Sequence, residues 1–162
     1  MKNLCIKRIS KREIPELIRL IRKVILNIKY YPKRVLKKFL EVYTPEYLSR
    51  LSKQKDAAVI IAIEDGKIVG FAFGWNDYGV YWLDWVGVAK EHRQQGVGTK
   101  LLQKFESECR KKGGHKIHLD TSRTNKPAIC FYRKNGYSIE GHLNKHWLKW
   151  DYILLSKILG KN

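Results

Sequence analysis

Seven consecutive apolar residues, Ala57-Ala58-Val59-Ile60-Ile61-Ala62-Ile63, constrain the fold of this chain more than any other segment. An unbroken run of that length is expected of a strand covered on both faces, whereas a half-exposed strand alternates apolar with polar residues. Glu64-Asp65-Gly66-Lys67 follows as a turn with the Asp-Gly hairpin signal, and Ile68 to Phe73 reads as the returning strand. Asn76-Asp77-Tyr78-Gly79 marks a second turn, and Val80 to Val88 a further strand rich in aromatics. Antiparallel strands in such succession form a meander, and covering both of its faces requires helices on either side.

Those helices can be read in the flanking sequence. After a short strand from Leu4 to Ile9, Ser10-Lys11-Arg12-Glu13 fits a capping box. Leu17, Leu20, Ile21, Val24 and Ile28 then recur at helical spacing until Tyr30-Tyr31-Pro32 breaks the pattern. A second basic amphipathic segment carries Val35, Leu36, Phe39, Leu40 and Val42, and a further turn or two follows Thr44-Pro45 as far as Leu51. The lysine faces of these segments fit solvated surface helices, the alternative being helices that lie on a membrane surface. Beyond the meander a helix is expected from about Gly98 to Lys112, with Leu101, Leu102, Phe105 and Cys109 inward and Gly113-Gly114 as its stop. His115 to Thr121 reads as a strand. Asn125-Lys126-Pro127 opens a helix that Asn135-Gly136 ends, and strands from Tyr137 to His142 and Tyr152 to Leu159 close the chain. The whole is a mixed α/β sheet.

At 162 residues this is about one domain, expected to span 1–162. Its 44% hydrophobic content supplies a core and excludes intrinsic disorder. No apolar run reaches the length of a membrane span, and the first residues, Met1 to Arg8, carry charges where a signal peptide needs its apolar stretch. Cys5, Cys109 and Cys130 lack metal spacing and cannot all pair, which reads as a reducing, cytoplasmic setting with buried thiols. Charge is uneven. The 33 Lys and Arg against 15 Asp and Glu give +18, yet residues 57–89 carry net −3. So positive a field favours anionic partners such as phosphates or nucleic acid.

Arg93-Gln94-Gln95-Gly96-Val97-Gly98 lies between a strand end and a helix start. Glycines there let the backbone approach a ligand, and the first amides of the helix point outward with the positive dipole end, as a pyrophosphate requires. The segment is neither a P-loop nor the Rossmann fingerprint, and on its own it is also compatible with an ordinary glycine turn.

The stretch from Val88 through Gly96-Val97-Gly98-Thr99 to Leu102 resembles the acetyl-CoA signature of the GNAT N-acetyltransferase superfamily. Asn125-Lys126-Pro127-Ala128-Ile129-Cys130-Phe131-Tyr132, continuing to Tyr137, is similar to that superfamily's second cofactor motif. The resemblance covers roughly residues 57–140. It implies the GNAT fold, a mixed and mostly antiparallel sheet of about six or seven strands flanked by about four helices and splayed between the fourth and fifth strands. It also implies an acetyl-CoA-dependent N-acetyltransferase that moves an acetyl group to a primary amine by direct attack in a ternary complex. The amides of Gln94, Gln95, Gly96, Val97, Gly98 and Thr99 would hold the pyrophosphate, with Arg93 as an added phosphate contact or a solvated arginine. The backbone of Val86, Gly87 and Val88 would pair with the pantetheine arm, an amide near Val88 polarising the thioester carbonyl. Asn125 would hydrogen-bond the same arm. Tyr132 stands where many members place the acid that protonates the departing thiolate; the other reading is a core tyrosine bonded to a backbone carbonyl.

A lysine-like amine, with pKa about 10.4, must lose a proton before it attacks. Asp84, four residues before Val88, resembles the base proposed in diamine acetyltransferases, and reads equally as a structural or substrate-anchoring carboxylate. His115, His118, His142 and His146 lack the companions of a metal site, and no metal is expected. Cys130 reads as a buried apolar thiol rather than an acetyl carrier. The acceptor is left open between a peptide or protein amine and a small-molecule amine. A homodimer is compatible with the family. The alternative from another class is a basic nucleic-acid-binding module on the same fold without catalysis, and no membrane partner is expected.

Overall fold

The computed structural model describes residues 3–160. Strand β1 (Leu4–Arg8) precedes helices α1 (Ile14–Leu26), α2 (Lys33–Val42) and α3 (Pro45–Lys53). The meander is β2 (Ala57–Glu64), β3 (Lys67–Asp77) and β4 (Val80–Val88), followed by α4 (Val97–Lys111), β5 (Lys116–Ser122), α5 (Lys126–Lys134), β6 (Ser138–Leu143) and β7 (Tyr152–Ile158). All seven strands join one sheet in the order β1-β2-β3-β4-β5-β7-β6. Only β4 and β5 run parallel.

Both faces of the sheet are covered, as the apolar run demanded. Ala57, Val59 and Ile61 pack beneath α1, α2 and α3, while Ala58, Ile60 and Ala62 pack beneath α4. Ser10 opens α1 through a 3-10 turn, its backbone N–H and hydroxyl both donating to the Glu13 carboxylate at 2.7 Å. The segment after Thr44-Pro45 is a full helix rather than a turn or two. The Thr44 hydroxyl accepts from the Tyr47 N–H at 3.2 Å, and Pro45 occupies a first-turn position where no N–H is needed. Five helices therefore flank the sheet, and β3 runs on to Asp77, past Phe73.

The expectation of buried thiols holds only for Cys109; Cys5 and Cys130 are exposed. Cys5 lies on the edge strand β1, and Cys130 shares the outer face of α5 with Lys126 and Arg133, one turn away on either side.

Two irregularities shape the middle of the sheet. The β4–β5 ladder ends after Val80, Tyr81 and Trp82 have paired with Lys116, Ile117 and His118, so the remainder of β4 has no neighbour on that side. Between β3 and β4 the register shifts: Phe73 faces Trp85 and Gly74 faces Leu83, leaving Asp84 as the extra residue of a bulge. Before the bulge Tyr81 and Leu83 face α4; after it Val86 and Val88 do. Asp84 and Trp85 consequently both turn toward α2 and α3.

Candidate active site at the splayed strands

Alternation along the β3–β4 ladder decides what the opening presents. The Ala89 N–H donates to the Val69 carbonyl at 2.8 Å, so Ala89, Gly87 and Trp85 bond to β3. The backbone groups of Val86 and Val88 therefore point into the opening. The Val88 carbonyl is already taken by Arg93 Nε at 3.0 Å, which folds the following loop back onto the strand. In that loop Gln94 has φ +61° and Gly96 φ +79°, with Gln95 Nε2 bonded to the Glu91 carbonyl at 2.9 Å. The first bond of α4 runs from the Lys100 N–H to the Gly96 carbonyl, and no side chain caps the helix, so the amides of Val97, Gly98 and Thr99 have no acceptor among the described residues. A Cβ built on Gly96 meets nothing within 4 Å, so the space before these amides is open. The missing side chain of Gly98 also admits the Phe131 ring, 3.2 Å from where a Cβ would stand. Free amides, open space and the Arg93 guanidinium together fit a diphosphate.

Tyr132 is buried on α5, 8% exposed, and its hydroxyl makes no hydrogen bond to the described residues. A core tyrosine tied to a carbonyl is thus not what the structure contains. Burial pushes its pKa up, and the neighbouring Tyr30 and Asp120 push it further, so the phenol stays protonated. Asn125 caps α5, its Oδ1 accepting from the Ala128 N–H, and its Nδ2 donates to the Tyr30 hydroxyl at 2.9 Å and to Thr121 at 3.1 Å. The amide therefore ties α5 to the loop between α1 and α2. Burial raises the Tyr30 pKa to about 12.

The bulge delivers Asp84 to a pair of tyrosines. Tyr43 donates to Oδ1 and Tyr47 to Oδ2, each at 3.3 Å. Burial lifts the carboxyl from 3.8 to about 7, opposed by these two hydrogen bonds and reinforced by the charge of Asp120. In a chain with 33 basic side chains, Asp84 has no ion pair among the described residues.

Asp120 was not legible as a site residue from sequence. Trp82 and His118 form the last paired rung, with ring centroids 4.5 Å apart, and Asp84 and Asp120 lie two residues beyond each. Past Leu83 and Leu119, unpaired with each other, they stand on the same face of the sheet, near enough for the charge of Asp120 to raise the pKa of Asp84. Burial raises the pKa of Asp120 too, against a 2.6 Å hydrogen bond from Trp147 Nε1. An aspartate in the middle of a strand is unusual, and its alternation with Ile117 and Leu119 is the signal that points to it. Asp84 and Tyr132 do not touch, and Asp120 is near enough to raise the pKa of both. No group of three or more metal-binding side chains occurs among the described residues, and no described helix is long and apolar enough to cross a membrane.

Comparison with known proteins places the fold in a family. A family model described as the acetyltransferase (GNAT) family matches residues 26–137. A probable N-acetyltransferase of Xenopus tropicalis is 36% identical over 78 residues, 48% of this chain and 37% of that protein. An uncharacterized N-acetyltransferase of Methanocaldococcus jannaschii is 27% identical over 157 residues, 92% of this chain and 66% of that protein. The chain spans about a third of the length of the first of these relatives. The PaiA N-acetyltransferase of Thermoplasma acidophilum, solved in complex with coenzyme A, superposes with a TM-score of 0.82 at 21% identity, covering 96% of this chain and 99% of that one.

Proposed function

The chain belongs to the GNAT family of acetyltransferases, and we propose that it is an acetyl-CoA-dependent N-acetyltransferase acting on a primary amine of a peptide, a protein or a small molecule. The observation that carries this reading is an unpaired, desolvated carboxylate, Asp84, set by a bulge beside the open backbone of Val86 and Val88.

Acetyl-CoA supplies an acetyl group activated as a thioester. The amides from Gln94 to Thr99, with Arg93, hold its pyrophosphate. Val86, Gly87 and Val88 extend the sheet along the pantetheine arm, and a free amide of β4 polarises the carbonyl. Asn125 binds the arm by exchanging its bond to Tyr30 for one to the ligand. An ammonium group loses two protons on becoming an amide: Asp84 accepts the first, with a pKa matched to neutral pH. As the new C–N bond forms and the C–S bond breaks, Tyr132 donates its proton to the departing sulfur and is reprotonated by the second proton that leaves the nitrogen. The net proton leaves to solvent.

Calorimetric titration with acetyl-CoA tests the donor site. The expected result is micromolar binding that Gly96→Val weakens by at least about tenfold. A β-branched side chain in the left-handed region is strained by about 1–2 kcal/mol, and relief of that strain turns the loop amides away. Equal binding by both proteins would overturn the assignment of the loop. Release of free thiol in the presence of amines then measures transfer. Tyr132→Phe is expected to lower kcat about 10- to 100-fold. Its melting temperature should stay within about 2 °C of wild type, because the hydroxyl removed has no protein partner.

A further inference from the structure

The acceptor cleft holds one carboxylate more than proton removal requires. Asp120 lies across the opening on the same face as Asp84, has no ion pair among the described residues, accepts a hydrogen bond from the Trp147 indole, and has only His146 near enough to lower its pKa by charge. Leaving an anion half-buried and unpaired in a molecule of net charge +18 is unfavourable unless something cationic is meant to reach it. Tyr132 is a buried residue whose hydroxyl also has no partner among the described residues, and it lies within the influence of the same carboxylate. A carboxylate held by one neutral donor and a hydroxyl without a partner therefore lie near one another.

Trp147 belongs to the loop joining β6 to β7, where Lys145, Leu148 and Lys149 all have positive φ. Its ring is 52% exposed even while the Nε1–H is bonded. His146 packs on it with ring centroids 4.6 Å apart, and Tyr31, packed edge-on against Trp150 at 5.5 Å and hydrogen-bonded to Tyr152, lies near enough to Asp120 to feel its charge. Indole and phenol faces favour a cation, and an indole N–H is a neutral donor that an ammonium replaces with gain at a carboxylate.

We propose that Asp120, covered by Trp147 until substrate arrives, is a specificity-determining residue that selects acceptors bearing a second positive charge. One nitrogen reacts beside Asp84; the other, an ammonium or guanidinium on a short spacer, displaces the indole and pairs with Asp120. The inference rests on the acetyltransferase reading of the same site. The chemistry is shared by small aliphatic diamines and by peptides whose amino-terminal amine lies close to a basic side chain.

The test compares 1,4-diaminobutane with 1-aminobutane, and alanyl-lysine amide with alanyl-leucine amide, on the acetyl-CoA-saturated protein. Both calorimetric affinity and kcat/KM are read. The dication of at least one pair should be favoured about tenfold or more, chiefly in KM. Whichever pair shows the larger ratio identifies the source. Asp120→Asn should bring that ratio close to one, whereas Asp120→Glu should keep most of it. Trp147→Phe removes the competing donor but leaves the carboxylate, and should keep or raise the ratio. A ratio near one in wild type, or a ratio that survives Asp120→Asn, would overturn the inference. So would an Asp120→Asn protein that binds the dication as wild type does and fails only in kcat, since Asp120 would then be the base. Failure to bind acetyl-CoA at all would instead sink the underlying function, which keeps the two failures distinguishable.

Discussion

Asp84→Asn should reduce turnover by about 10²- to 10³-fold while making the protein more stable. The two effects share one cause. The carboxyl of Asp84 sits at about 7 in the folded protein against an ordinary 3.8, because burial disfavours its charged form. A group raised in this way contributes its full stability below about pH 4 and loses that contribution as the pH rises through 7. At neutral pH the folded protein therefore carries a partly ionised, desolvated group that asparagine replaces with a neutral one able to accept from Tyr43 or Tyr47. A gain of about 1–2 kcal/mol, or roughly 2–8 °C in melting temperature for a chain of this size, is expected at pH 8, shrinking toward pH 4. Activity has the opposite dependence. The base must be deprotonated, so wild-type kcat/KM should rise with pH and inflect near 7, and the variant should lack that inflection. Thermal melts at pH 4, 6 and 8 beside a pH–rate profile make the measurement. A variant that is less stable at pH 8 and still active would show that Asp84 is a structural carboxylate.

Gly74→Ala should abolish activity from the other side of the bulge. A Cβ on Gly74 would stand 2.0 Å from the Trp82 carbonyl oxygen and 3.0 Å from the buried Phe105 ring. The obstacle is backbone, which cannot rotate out of the way. Only by opening the β3–β4 ladder at the bulge can the methyl group be admitted, and that shifts Asp84 from its tyrosines. A destabilisation of about 2–3 kcal/mol is expected, with a fall of roughly 5–10 °C in melting temperature and loss of most turnover. Gly141→Ala is the control, since a Cβ there meets nothing within 4 Å and the change should stay within about 0.5 kcal/mol. Equal behaviour of the two variants would mean that the bulge tolerates repacking.

Much of this protein is written in short stretches of chain. The doubly covered strand, the helix caps at Ser10 and Thr44, and the loop from Arg93 to Thr99 depend on residues within about one or two turns of each other, and local spacing specifies them. For that reason the family and the sheet could be read without coordinates, as could the loop before α4 and the position of Tyr132 within the second motif. The extent of α3 was the main local feature underestimated, because a nine-residue helix beginning at a proline looks like a continuation of a turn.

The acceptor side is different in kind. Nothing local to Tyr81-Trp82-Leu83-Asp84-Trp85 announces a bulge; it arises because Gly74, ten residues earlier, lets the Trp82 carbonyl come close. Asp120 becomes a site residue only when the β4–β5 register stops two residues short of it, and Trp147 only when the last hairpin places β7 next to β5. Asn125 meets Tyr30 across 95 positions of sequence. The sequence by itself determined the layers, the glycine loop before α4 and the place of Tyr132 on α5, since periodicity, capping and left-handed turns act over neighbouring residues. Tertiary structure alone decided which carboxylates stand unpaired in the cleft, because strand register and burial, and through them a carboxyl's pKa, are set by residues far apart in the chain.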